Sequence, residues 1–255
     1  MTTLAIIGGT GLARVQGLTI TRREMVKTPF GAPSSPLVFG EFGGAPVAFL
    51  ARHGSDQRIP PHRINYRANL WALKSVGIER VIAVGAVGGI ASECLTGAIV
   101  VPDQIIDYTH GRERTFFDGG DAPVRHVDFT SPYDEGLRRV LIDGARDVEG
   151  LALVERGTYA AMEGPRLETA AEIRRLERDG CTVVGMTGMP EAGLARELDL
   201  AYASLAVVVN PAAGKRDGRD SIDVEAIGGA IEKGMRRARE VIAGTLRRLS
   251  APGGS

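Results

Sequence analysis

The feature that most constrains this chain is an alternation that runs through most of its 255 residues. Short apolar, β-branched runs recur at Leu4 to Ile7, Val47 to Leu50, Val81 to Val84, Ile99 to Val101, Val183 to Met186 and Ala203 to Val209. Runs of this length and composition read as buried strands. Between several of them, apolar residues return at helical spacing over 65–76, 132–148, 168–179, 190–198 and 223–249, which predicts helices there. A further strand is expected around Thr158 to Ala161. Alternation of this kind predicts an α/β fold, a mixed central β-sheet flanked by helices. With no internal repeat and no low-complexity linker, one domain over 1–250 is expected, followed by a short flexible tail at 251–255.

Charge narrows the partners. Lysine plus arginine and aspartate plus glutamate each number 31, so no net field draws the chain to nucleic acid or an anionic membrane. Any anion site must be local. The first residues lack the basic flank and apolar core of a signal peptide, and no apolar run reaches the ~20 residues that span a bilayer, so a cytoplasmic location is expected. Cys94 and Cys181 lie far apart and read as buried reduced thiols, and neither they nor His62, His110 and His126 fall at metal-ligand spacing. No metal is expected.

Chemistry gathers at the expected strand ends. The first strand runs into Gly8-Gly9-Thr10-Gly11, where missing side chains expose backbone N–H groups and Thr10 adds a hydroxyl. The motif has neither P-loop nor dinucleotide spacing and taken alone fits a tight turn equally well. Ala51-Arg52-His53-Gly54 puts a permanent cation and a titratable donor at another tip, where α/β sheets bind ligands, and Arg52 can grip two phosphate oxygens at once. Val84-Gly85-Ala86-Val87-Gly88-Gly89 and Gly185-Met186-Thr187-Gly188-Met189-Pro190-Glu191 read as two more small-residue tips. Four tips of this character on one sheet edge point to a small-anion site. Elsewhere, Glu163 to Thr169 reads as a helix start, Asn210 as the end of a strand, and Met186, Leu167 and Trp71 as core. The charged, glycine-rich loops 108–123 and 211–221 could each fold over a ligand.

Taken in order, Gly8-Gly9-Thr10-Gly11, Arg52-His53-Gly54, the Asn65 to Leu73 segment, Glu163-Gly164-Pro165-Arg166 and Gly185 to Glu191 resemble the trimeric purine nucleoside phosphorylase and methylthioadenosine phosphorylase family over nearly the whole chain. The resemblance implies phosphate-dependent cleavage of a purine nucleoside without a cofactor, inorganic phosphate being a co-substrate. It implies phosphate held by Thr10, Arg52, His53, the backbone at Gly85 and Ala86, and Thr187, with Met186 against the ribose. It also implies a homotrimer, with His126 the candidate for a residue reaching into a neighbour's pocket.

At the base-recognition positions, methylthioadenosine phosphorylases carry one Asp at the position of Asn210 and another at that of Ala212. This chain has neither, and its Asn210 and Glu168 match the enzymes that cleave inosine and guanosine. A 6-oxopurine offers an N1–H that a carboxylate accepts, and an Asn amide can donate to O6 or N7, whereas adenine N1 would turn a lone pair to Glu168. The remaining motifs sit closer to the methylthio branch. The combination predicts a 6-oxopurine nucleoside with an apolar 5'-methylthio group lined by Ile222, with Leu167 and Ala212 as further substrate contacts. The alternatives are a general inosine/guanosine phosphorylase and a methylthioadenosine phosphorylase. A nucleosidase using water would need no Arg52 and Thr187 anion clamp, and a non-catalytic nucleoside sensor would release no base.

Overall fold

The computed structural model describes residues 3–12, 16–119, 123–215 and 224–250, for 224–226 the backbone only. Its strands are Leu4–Gly8 (β1), Thr19–Glu24 (β2), Leu37–Phe42 (β3), Ala45–Ala51 (β4), Arg80–Gly89 (β5), Ile99–Val100 (β6), Gln104–Asp107 (β7), Leu153–Val154 (β8), Thr158–Ala161 (β9), Val183–Gly185 (β10) and Ala201–Pro211 (β11). The helices are Tyr66–Ser75 (α1), Glu135–Arg146 (α2), Ala170–Arg178 (α3), Glu191–Glu197 (α4) and Val224–Ser250 (α5). None of the described helices is long and apolar enough to cross a membrane.

The apolar runs become strands because both of their faces are covered. Leu4 and Ile6 of β1 pack in one cluster with Leu137 and Leu141 of α2 and Val241 and Ile242 of α5. Ala5 and Ile7 point the other way, into a cluster with Leu70 and Leu73 of α1 and Leu194 of α4. The side-chain period of two therefore divides one apolar run between two cores, and each large side chain fully buried this way contributes about 1.5–3 kcal/mol. Helix starts follow local capping. The Asn65 side chain accepts from the Ala68 N–H at 3.0 Å, Asp134 accepts from Leu137 at 2.7 Å, and Thr169 with Glu172 forms a capping box on α3. That cap places Glu168 before α3 rather than inside the helix expected from 168.

Strand order along the sheet is β2-β3-β4-β1-β5-β10-β9-β7, with β11 and β6 joined through the other edge of β5 and β8 beyond β6. β5 organises the whole. Its first half pairs parallel with β1 as far as Gly8↔Val84, and its end pairs antiparallel with β10 at Gly88↔Val184. On the opposite edge β11 pairs along its length. Val84 to Gly89 is thus a continuation of the strand, not the loop-like tip expected from its small residues. Between the two partners, Gly85, Ala86 and Val87 face no strand on that edge among the described residues, and the sheet opens there. An opening between neighbours of one central strand is a switch point, the usual place for a ligand in an α/β sheet.

Four of the described strands lay outside the sequence expectation, among them the two-residue β8, Leu153–Val154. β2, Thr-Ile-Thr-Arg-Arg-Glu, is exposed throughout and so carries no buried periodicity. β3 contains Gly40 and a buried–exposed mixture, and β7 is only four residues, Gln-Ile-Ile-Asp.

Candidate active site

A cleft of about 190 Å³ lies at the opening in the sheet. Gly9 and Thr10 follow β1, Arg52 and His53 follow β4, Gly85 and Ala86 lie in β5, and Met186 and Thr187 follow β10; all of them line this cleft. Leu167, Glu168, Asn210 and Ala212 line it as well. His126 does not: it is exposed, and no part of it borders the cleft of the single chain. Ile222 lies outside the described residues, as do 216–221 of the expected ligand loop.

The end of the cleft beside Arg52 is built tightly. A Cβ on Gly9 would come within 2.8 Å of the Val84 carbonyl and 3.0 Å of Arg52 Nη1, so only glycine lets β1 turn beside the guanidinium. The hydroxyl of Thr187 sits 3.8 Å from the position a Cβ on Gly85 would occupy, across the open edge of β5. Arg52 is buried at 1 % exposure. Its Nε and Nη2 donate to the two carboxylate oxygens of Glu191 at 2.6 and 2.8 Å, and Nη1 donates to the Val84 carbonyl at 3.1 Å. The Nε edge of the guanidinium is therefore already taken by Glu191, and a two-oxygen grip is left to the terminal nitrogens. Burial alone would lower the Arg52 pKa, but the charge and hydrogen bonds of Glu191 outweigh it and hold the cation firmly protonated.

His53 is buried and its Nδ1 lies 2.8 Å from the Ile59 carbonyl. Burial, then the charge of Arg52, pushes its pKa below the usual 6.5. At neutral pH the ring is uncharged, with Nδ1–H donated to Ile59 and Nε2 left as an acceptor.

At the other end, a register shift between Val208 and Asn210 breaks the β11 pairing with β5, and bulges of this kind re-aim side chains beside sites. The Asn210 amide donates to the Pro211 carbonyl at 2.7 Å, leaving its second N–H and its oxygen for other partners. Glu168 is half-buried, and burial raises its carboxyl pKa above 4.5. Met186 is held by Gly164, which has φ +66° and whose Cβ would fall 2.5 Å from Met186 Sδ. Ile227 and Ile231 of α5 complete an apolar wall, a role the sequence reading left to Ile222. Sequence reasoning missed them because apolar residues at helical spacing read first as core. It also missed Glu191 and Tyr202, which stand behind Arg52, and Arg112.

The sequence profile described as "Phosphorylase superfamily" matches residues 3–247. A relative from Pseudomonas syringae pv. tomato, a probable S-methyl-5'-thioinosine phosphorylase, is 53% identical over 246 residues, which is 96% of this chain and 99% of that protein. A 6-oxopurine nucleoside phosphorylase from Pyrococcus furiosus is 51% identical over 219 residues, covering 84% of this chain and 81% of its own length. Among solved structures, the methylthioadenosine phosphorylase from Schistosoma mansoni in complex with adenine superposes with a TM-score of 0.91 at 30% identity, over 99% of this chain and 93% of that one.

Proposed function

This chain belongs to the phosphorylase superfamily, and on that premise we propose that it cleaves S-methyl-5'-thioinosine with inorganic phosphate, giving hypoxanthine and 5-methylthioribose 1-phosphate. The observation that carries the reading is the sharing of one cleft by Arg52, His53 and Thr187 at one end and Glu168 and Asn210 at the other. The first group suits an oxyanion and the second suits the N1–H and the O6 or N7 of a 6-oxopurine. The names of the relatives at 53% and 51% identity support the same base class. Ile227 and Ile231 supply an apolar wall that favours a methylthio group over a hydroxyl, which would be buried there without a partner.

In the reaction a phosphate oxygen forms a bond to C1' as the bond from C1' to the purine breaks. Positive charge builds on the sugar, as in glycoside cleavage, and the dianion beneath it is both nucleophile and charge partner. The bonding electrons leave with the purine, where a hydrogen bond from Asn210 near N7 or O6 stabilises the growing negative charge while Glu168 orients the base through N1–H. The purine then takes a proton from solvent. Thr10, the Gly85 and Ala86 backbone and Thr187 would hold the phosphate; Met186 would lie along the ribose. Nothing in this sequence of steps calls for a cofactor. We place the enzyme in the cytoplasm as a homotrimer, in which the exposed His126 would reach a neighbour's pocket.

Phosphorolysis of methylthioinosine, inosine and methylthioadenosine, each with and without phosphate, tests the proposal. Hypoxanthine release that requires phosphate and is fastest from methylthioinosine is the expected result. Release without phosphate would favour hydrolysis, and equal rates with inosine would favour the general inosine/guanosine phosphorylase.

A pH dependence follows from the base contact. The Glu168 carboxylate accepts from N1–H as a charged partner; once protonated it keeps only the weaker, neutral carbonyl acceptor beside a hydroxyl donor. Burial raises its pKa above 4.5, so the nucleoside KM should begin to rise, as pH falls, at a higher pH than an exposed glutamate would dictate. Charging of His53, whose pKa is lowered, should instead appear in the phosphate KM. A nucleoside KM flat down to the range of a free glutamate would contradict the contact.

A further inference from the structure

We infer that Glu191 and Tyr202 form a positioning pair that aims Arg52, so that the arginine meets phosphate end-on through its two terminal nitrogens. This rests on phosphate being the second substrate. A guanidinium carries five N–H donors. In this structure Nε and one N–H of Nη2 are given to Glu191, and one N–H of Nη1 to the Val84 carbonyl. One donor remains on Nη1 and one on Nη2, and Arg52 borders the cleft beside Gly9 and Thr10.

What holds the arrangement comes from four different elements. Arg52 follows β4, Val84 belongs to β5, Glu191 opens α4 and Tyr202 lies in β11. Glu191 is fully buried, and its Oε1 accepts a second hydrogen bond, from the Tyr202 hydroxyl at 2.8 Å. Tyr202 is itself fixed by stacking on Tyr133, ring centroids 6.1 Å apart. With both carboxylate oxygens engaged, Glu191 cannot swing, and the fork it holds cannot rotate to offer its Nε edge to a ligand. Arg52 and Glu191 together form a charge-balanced ion pair. Phosphate would therefore meet two directed N–H groups rather than an unbalanced buried cation, which ties its binding to geometry more than to net charge.

Two variants separate positioning from plain stability. Tyr202→Phe removes one hydroxyl and keeps the ring; Glu191→Gln replaces an oxygen acceptor by an amide N–H that opposes an Arg52 donor. Steady-state kinetics varying each substrate should show the phosphate KM raised about threefold or more in Tyr202→Phe and about thirtyfold in Glu191→Gln, on the scale of weakened hydrogen bonds to charged groups. The nucleoside KM should change less than about twofold, because Glu168 and Asn210 do not touch this pair. Phosphate-induced thermal stabilisation should shrink in parallel. If Glu191→Gln does not fold, Tyr202→Phe decides. Unchanged phosphate KM in a folded variant, or equal changes in both KM values, overturns the inference. A wild-type enzyme that cleaves without phosphate would overturn the reaction itself, a result separate from either.

Discussion

In Glu168→Gln the preference for methylthioinosine over methylthioadenosine is expected to collapse from about 10⁴-fold to under about 10²-fold, measured as the ratio of kcat/KM values. The wild-type figure reflects a buried mismatch. With adenine, the half-buried carboxylate would face the lone pair of N1, and a site built to accept a hydrogen bond rejects a ligand that cannot donate one. Glutamine removes the mismatch from both sides. Its oxygen can still accept from N1–H of a 6-oxopurine, at the cost of the charge, while its amide can turn and donate to N1 of adenine. Methylthioinosine should therefore lose about tenfold, the difference between a charged and a neutral hydrogen bond, and methylthioadenosine should gain the rest. A ratio that stays near its wild-type value in the variant would move the discrimination away from Glu168, to Asn210 or the residues after it.

How much of this was legible in the sequence depended on whether a residue's role was local. β1, β4 and β11 could be read because strands buried on both faces must be apolar at every position, as Leu4 to Ile7 are. β2 could not, since all six of its residues are exposed and, among the described strands, it pairs with β3 alone. That Arg52, His53 and Thr187 meet at one cleft could be anticipated because small and polar residues interrupt apolar runs there. The continuation of β5 through Gly85 to Gly89 was hidden, since glycines in sequence look like a turn and only the pairing with β11 and β10 makes them a strand. Glu191 was hidden for another reason. At the start of a helix an acidic residue is accounted for by the helix dipole, and its contact with Arg52, 139 positions away, leaves no periodic trace. The motif carried the residue without revealing its role.

Arg112 shows the same gap most sharply, and replacing it should have the largest effect on stability. The loop 108–123 reads as a flap, yet Thr109, Arg112 and Phe116 are buried, and Arg112 is its anchor. Nη1 donates to the carbonyls of Met186 at 2.9 Å and Met189 at 2.6 Å, Nη2 to the carbonyl of Glu163 at 2.7 Å, and Nε to the Glu163 carboxylate at 3.0 Å. One side chain thus ties the segment after β7 to the segments after β9 and β10, which carry Glu168, Met186 and Thr187. Arg112→Ala leaves those carbonyls without the arginine donor and the half-buried Glu163 carboxylate without its cation, a loss of about 3–5 kcal/mol by the measure of broken buried ion pairs. At about 2–4 °C per kcal/mol for a chain of this size, the melting temperature should fall by roughly 10 °C. Arg112→Lys should recover less than half of that, because an ammonium offers three donors from one point and cannot span the acceptors spread over the segments after β9 and β10. Thermal unfolding of the two variants beside the wild type checks both. A fall under about 3 °C for the alanine variant would mean that water or a neighbouring side chain replaces the arginine, and that the loop is held by Phe116 and its hydrogen bond to Glu197 instead.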